Sequence, residues 1–198
     1  MKRCLRILAL AGLVLGAGRA LLCAQDPLLR TGQIDYAGRA TPYRVRHLPV
    51  NAFPELPAPL RSELERRGCL IPQTYEAHRP ENVIHASLRE PGSTDWAVLC
   101  AVQESVSLLV FLCSSSQPEV LATVPETERL QPHDPSGVLG FDWGIDPATP
   151  EQVHQAQAGL QPRPPRLDHD ALADSILERR TRYRFFTHGV WMLLELPD

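Results

Sequence analysis

Lysine is all but absent from this chain: the only one is Lys2, and arginine supplies the remaining positive charge. Aromatic residues make up only 6% of the sequence. No Gly-x-Ser-x-Gly elbow, phosphate-binding glycine loop or dinucleotide fingerprint occurs, so no reaction is named by motif. His47, His78, His85, His133, His154 and His188 show no His-x-x-x-His spacing, and the cysteines show no Cys-x-x-Cys. A dedicated zinc site is therefore not expected, and neither a metal nor a cofactor is implied. There is no repeat of 20 to 50 residues and no linker long enough to divide two domains.

What is present begins with an export signal. Met1 to Arg6 carries Lys2, Arg3 and Arg6, and Ile7 to Gly18 follows as an unbroken apolar stretch. These are the charged and apolar regions of a secretory signal peptide. Ala24 offers the small residue before a cut, which predicts a mature start at Gln25. A membrane anchor needs about 20 apolar residues, and Arg19 interrupts the run first. A lipid-bearing Cys23 would ordinarily follow Gly, Ala or Ser, whereas Leu22 stands there.

Loss of residues 1–24 takes four of the twenty basic side chains and none of the twenty-three acidic ones, which leaves a net charge near −7. An acidic surface argues against non-specific nucleic-acid binding. No stable membrane span is expected after cleavage. The compartment is periplasmic or extracellular, where thiols oxidise. Cys69, Cys100 and Cys113 are an odd set, so one stays free or pairs between molecules.

The remaining residues suit one hydrophobic core. Nineteen prolines predict a loop-rich chain with few, short helices. Residues 25–46 read as a poorly ordered lead-in with one short strand, and 47–198 as a single α+β domain: an antiparallel sheet with one or two short helices packed on it. A helix fits Ala58 to Arg67, with Pro59 in its first turn, Leu60 and Leu64 one turn apart and Gly68 at its C-terminal cap. Strands are expected over 82–88, 96–102, 107–113 and 120–124, forming a meander. Thr149 and Pro150 open a second helix that stops by Gly159. Further strands run over 170–177, 182–186 and 190–196, the last two joined at Thr187-His188-Gly189.

If Val102 faces Ser107, Cys100 faces Leu109 and Cys113 lies about 13 Å further along, too far for a disulfide. Cys69 with Cys100 is the preferred pair, worth roughly 3 to 4 kcal/mol by the chain-entropy estimate. Three buried reduced thiols remain the alternative.

The motifs Phe53-Pro54-x-Leu56-Pro57, Arg67-Gly68-Cys69-x-Ile71-Pro72-Gln73, Asn82-Val83-Ile84 and Asp95-Trp96-Ala97-Val98-Leu99-Cys100 resemble small exported bacterial proteins of uncharacterised function. The ending, from His169-Asp170 through Tyr183 and Gly189-Val190-Trp191 to Asp198, is similar to the tail of the same proteins. The resemblance covers most of 53–198 and implies export without implying an activity. Val83 to Leu88, Pro91 to Asp95 and Trp96 to Leu99 are also similar in outline to one FG-GAP or VCBS-type unit, but the acidic calcium-binding run is missing.

Candidate sites follow from residue type. His169 and Asp170, with Asp174 and Asp142, could orient a general base, although neighbours on a strand point to opposite faces. Asp95 and Trp96 at a strand start, and Asp142 with Trp143, could contact a polar ligand. Arg180, Arg182 and Arg184 alternate on a strand and could face an anionic ligand or form a solvated edge. The function expected is a non-catalytic binding or structural module of the bacterial envelope, with an envelope polymer or a protein as partner. An envelope hydrolase using a His/Asp site and a secreted enzyme inhibitor are the alternatives.

Overall fold

The computed structural model describes residues 28–195. The export signal, and the cleavage site expected before Gln25, lie outside the described residues. The chain opens with β1 (Leu29–Tyr36) and β2 (Arg39–Pro49), followed by helix α1 (Ala58–Arg67). Next come β3 (Leu70–Gln73), β4 (Val83–Ala86), β5 (Asp95–Val102), β6 (Ser105–Phe111) and β7 (Glu119–Pro125). Two short strands, β8 (Leu130–Pro132) and β9 (Leu139–Phe141), lead into β10 (Trp143–Ala148). Helix α2 (Pro150–Ala156) precedes β11 (Ala171–Ile176), β12 (Arg180–Thr187) and β13 (Val190–Leu194). The molecule is thus predominantly β rather than α+β.

Nine strands form one sheet, with the path β7-β6-β5-β3-β2-β9-β8, β1 paired to β2 and β4 to β5. All neighbours in it are antiparallel except β2 and β9. The other four make an antiparallel meander, β10-β11-β12-β13. The chain passes between sheets in a single residue, Asp142, between β9 and β10.

The stretch expected as a lead-in is instead a long hairpin, with Leu29 opposite Arg46 and Tyr36 opposite Arg39. Ala37 and Gly38 turn it with φ of 53° and 78°, the two left-handed residues that a tight hairpin requires. The β1 side chains alternate between half-buried and exposed, so their hydrophobic signal is weak.

Sequence periodicity divides the large sheet between two cores. Ala97, Leu99 and Ala101 of β5 face one side with Val45, Leu108, Phe141, Trp143 and Leu172, and this core joins the two sheets. Trp96, Val98 and Cys100 face the other side, where α1 lays Leu60 and Leu64 against Phe53, Leu56 and Ile71. Each fully buried leucine contributes roughly 1.5 to 3 kcal/mol by transfer from water. Helix α1 begins after Pro57 and ends at Gly68, whose φ of 72° provides the left-handed cap. Helix α2 has the expected Thr149 cap, closed into a capping box with Gln152.

A disulfide joins Cys69 to Cys100 and pins the end of α1 to β5, while Cys113 is a free, exposed thiol. The β5–β6 register differs from the expected one: Val102 faces Ser105, and Cys100 faces Ser107 rather than Leu109. A two-residue turn, Gln103-Glu104, replaces the longer one because Gln103 takes a φ of 54°. The shift moves Cys113 still further from Cys100 and leaves the pairing argument intact.

Candidate ligand groove

The residues singled out by sequence are mostly held by the protein's own donors and acceptors. His169 is buried, with Nδ1 at 2.8 Å from Asp168 Oδ1 and Nε2 at 2.8 Å from the Phe186 carbonyl. Asp170 accepts the Ser87 N–H at 3.1 Å, and its own N–H reaches the Ser87 carbonyl, which clips the start of β11 to the end of β4. Asp142 lies at the crossing between sheets, its N–H on the Arg129 carbonyl and its carbonyl accepting the Leu177 N–H. Burial raises its carboxyl above the ordinary value, against the pull of Arg129 and Arg179. The His169 and Asp170 side chains therefore have separate partners, and the buried Asp142 Oδ1 meets no hydrogen-bond donor among the described residues.

Asp95 is fully buried. It accepts the N–H groups of Leu88 and Arg89 at 2.9 Å, the Ser93 hydroxyl, and the Cys113 N–H at 2.7 Å. Four donors make it the anchor of the β4–β5 turn. Trp96 stacks under exposed His85 at 4.6 Å between ring centroids. Trp143 is fully buried, with the Arg129 guanidinium 4.7 Å above its ring. Arg182 and Arg184 are not a solvated edge: both donate to Oδ2 of fully buried Asp174, at 3.0 and 2.8 Å. That carboxylate requires two cations because the core between the sheets would otherwise hold a lone charge.

A different set of residues lines an open groove of about 460 Å³ along β1, β2 and β3, on the face of the large sheet that also carries Leu48 and Ile71. Strand pairing lays its floor in two rows. Leu29, Arg46 and Gln73 stand side by side across β1, β2 and β3. Two residues along β2, Thr31, Arg44, Gly140 and Gln131 form the second row across β1, β2, β9 and β8. Because side chains alternate along a strand, Arg44 and Arg46 project from the same face.

The rings of Tyr75 and His133 stack beside this floor, 4.9 Å apart and inclined by 11°. Gly140 makes room for them: a Cβ there would stand 2.6 Å from both His133 Cδ2 and Tyr75 Cβ. Gln131 Nε2 donates to the Tyr75 hydroxyl at 2.7 Å, and the Tyr75 N–H bonds the Phe141 carbonyl at 3.0 Å. Burial raises the phenol's pKa above its ordinary value, the Gln131 bond opposes this more weakly, and the carboxylates of Glu178 and Glu76 add to the rise. At the rim, Ser136 donates from its hydroxyl and its N–H to Asp134 Oδ1, which holds that carboxyl below its ordinary value.

Arg44 makes no side-chain hydrogen bond or ion pair with the described residues, and Arg46 reaches only the Ala77 carbonyl at 3.3 Å. A second hollow lies over Arg30, Gln33, Gln103 and Glu126. There, Arg30 is already engaged with Glu126 at 2.8 Å, and Glu126 also meets buried His47 at 2.7 Å. In the first groove, by contrast, Arg44 and Arg46 meet no carboxylate among the described residues. This groove can hold an anion against the Arg44 fork and a flat ring against the stack.

Sequence reasoning passed over Arg44, Arg46, Tyr75, His133 and Gly140. The alternation Arg44-Val45-Arg46 was a readable signal, but the stack joins residues 58 positions apart in sequence and has none. Among the described residues, no group of three metal-ligating side chains gathers, and no helix is long and apolar enough to cross a membrane. Comparison with family models, with curated proteins and with solved structures gives no match.

Proposed function

We propose that the chain is an exported, non-catalytic binding module of the bacterial envelope, periplasmic or secreted, and that the groove beside Arg44 is its ligand site. The observation that carries this reading is the pair of arginines without carboxylate partners among the described residues, set beside a ring stack in an otherwise acidic protein. The Cys69–Cys100 disulfide fits an oxidising compartment. The charged and apolar N-terminal run, and the resemblance to small exported proteins, support export. The hydrolase alternative needs His169, Asp170 and Asp142 around one pocket, and the engagement of His169 by Asp168 and Phe186 and of Asp170 by Ser87 favours the module.

The test is amide chemical-shift mapping of the mature protein during titration with sonicated cell-wall polymer. Shifts are expected at residues 44, 46, 73–75 and 133–138, with loss of binding in a folded Gly140→Leu variant. Shifts confined to other surfaces, or equal binding by the variant, would overturn the assignment.

A further inference from the structure

We propose that the groove takes an acidic saccharide, with one sugar ring on the Tyr75–His133 stack and that ring's carboxylate on Arg44. This rests on the groove reading above and names the chemistry of its ligand.

The charge argument comes first. The groove holds the guanidiniums of Arg44 and Arg46, and its one carboxylate, Asp134, is turned onto the Ser136 N–H and hydroxyl. An unpaired guanidinium presents a planar fork of donors that matches a carboxylate in two parallel hydrogen bonds. Placing an anion there also relieves the repulsion between two cations on alternate residues of one strand.

Spacing supplies the second argument. Arg44 and Gly140 are direct neighbours on adjacent strands, about 4.8 Å apart, and the His133 ring and the Tyr75 Cβ lie against Gly140. Charge and platform are thus separated by one strand spacing. A ring on the stack whose carboxylate projects from its edge bridges that interval without a flexible arm. His133 is exposed and has one face covered by Tyr75, so its other face is open.

The lining favours a sugar over a peptide. Beyond the platform, the walls carry Thr74, Asp134 and Ser136, which suit ring hydroxyls. Leu29, Ala77 and Val138 are small or partly covered and make no closed apolar hole for an anchoring side chain.

The experiment titrates the mature protein with a uronic-acid trisaccharide, its carboxyl-reduced neutral counterpart and an acidic peptide, read by amide shifts and calorimetry. The uronate is expected to bind in the groove at least about ten-fold more tightly than the neutral sugar. Arg44→Ala should remove that advantage, Arg44→Lys should restore only part of it, and Arg180→Ala should leave it unchanged. Equal affinity for the neutral sugar, tighter binding of the peptide, or an unchanged preference in Arg44→Ala would overturn the inference, while shifts in the groove would keep the site itself. Absence of any uronate binding also overturns it, and the cell-wall titration with Gly140→Leu then judges the groove separately.

Discussion

The indole N–H of Trp143 donates to Oδ1 of Asp174 at 2.7 Å, and the other oxygen of that carboxylate takes Arg182 and Arg184. One fully buried acid therefore orients a tryptophan from β10 and two arginines from β12. The Arg184 guanidinium also reaches the Leu121 carbonyl of β7. The cluster ties the small sheet internally and to the edge of the large one.

Replacing Asp174 with Asn should cost about 3 to 5 kcal/mol, because it leaves mostly buried Arg184 without a counter-charge and Arg182 with only the exposed Glu195 carboxylate at 3.4 Å. Urea denaturation read by tryptophan fluorescence measures this. A loss below about 1 kcal/mol would show that the arginines find other partners.

Asp142→Asn should act in the opposite direction. Burial raises the native carboxyl above its ordinary value of 3.8, so the folded state retains a proton that the unfolded chain has released. Wild-type stability therefore falls as pH rises through and above 3.8. The Asn variant, which cannot ionise, should gain on wild type between pH 3 and pH 7, by about 2 to 4 °C in melting temperature for each kcal/mol. A difference that is flat with pH refutes the assignment.

Glu63 makes the converse case on α1. Hydrogen bonds from Arg66 and Arg67 lower its carboxyl from 4.5 to about 2. The unfolded chain takes up a proton first, so the contribution is complete above pH 4.5 and is lost as pH falls through about 2. Carbon-detected titration of Glu63 should show this low midpoint, and Glu63→Gln should lower the melting temperature at pH 7 more than at pH 2.

Reducing the disulfide, or replacing Cys69 and Cys100 with Ala, opens a loop with a sequence separation of 31. The chain-entropy estimate gives a loss of about 3 to 4 kcal/mol. Thermal unfolding with and without reductant tests it, and the effect should be greatest for the α1 amides in hydrogen exchange.

Gly140→Ala places a methyl group 2.6 Å from Tyr75 Cβ and His133 Cδ2. The histidine ring can swing away, but a Cβ atom moves only with its backbone, so a cost of about 1 to 3 kcal/mol is expected. Crystallography of the variant should show the stack parted. An undisturbed stack would contradict the close approach.

Much of the framework was legible because it is local. Helix α1 follows from Leu60, Leu64 and Gly68, and the β5–β6 pair from an apolar run broken at Glu104. The final hairpin has His188 and Gly189 at its turn, as expected, both with positive φ. The β1–β2 hairpin escaped because its side chains are only half buried, and a weak period-two pattern resembles a polar tail. The groove escaped for a different reason. Its floor depends on the parallel contact of β2 with β9, which pairs Arg44 with Gly140, and nothing in either segment names the other. The candidate acids were noticed for their chemistry, yet Asp95 and Asp174 serve the fold.

Asn82 bridges the two sheets. Its backbone is left-handed, with a φ of 68°, and its side chain is buried. The amide donates to the carbonyls of Pro72 and Trp143 and accepts the Ile145 N–H at 3.0 Å. Where β3 and β10 do not pair directly, this one primary amide takes the place of a peptide group between the sheets. Deamidation to aspartate would turn a nitrogen that faces two oxygens into a third oxygen bearing charge. The seam between the sheets therefore has a chemical lifetime as well as a thermal one, set by a residue whose amide bonds Pro72, one position before groove-lining Gln73.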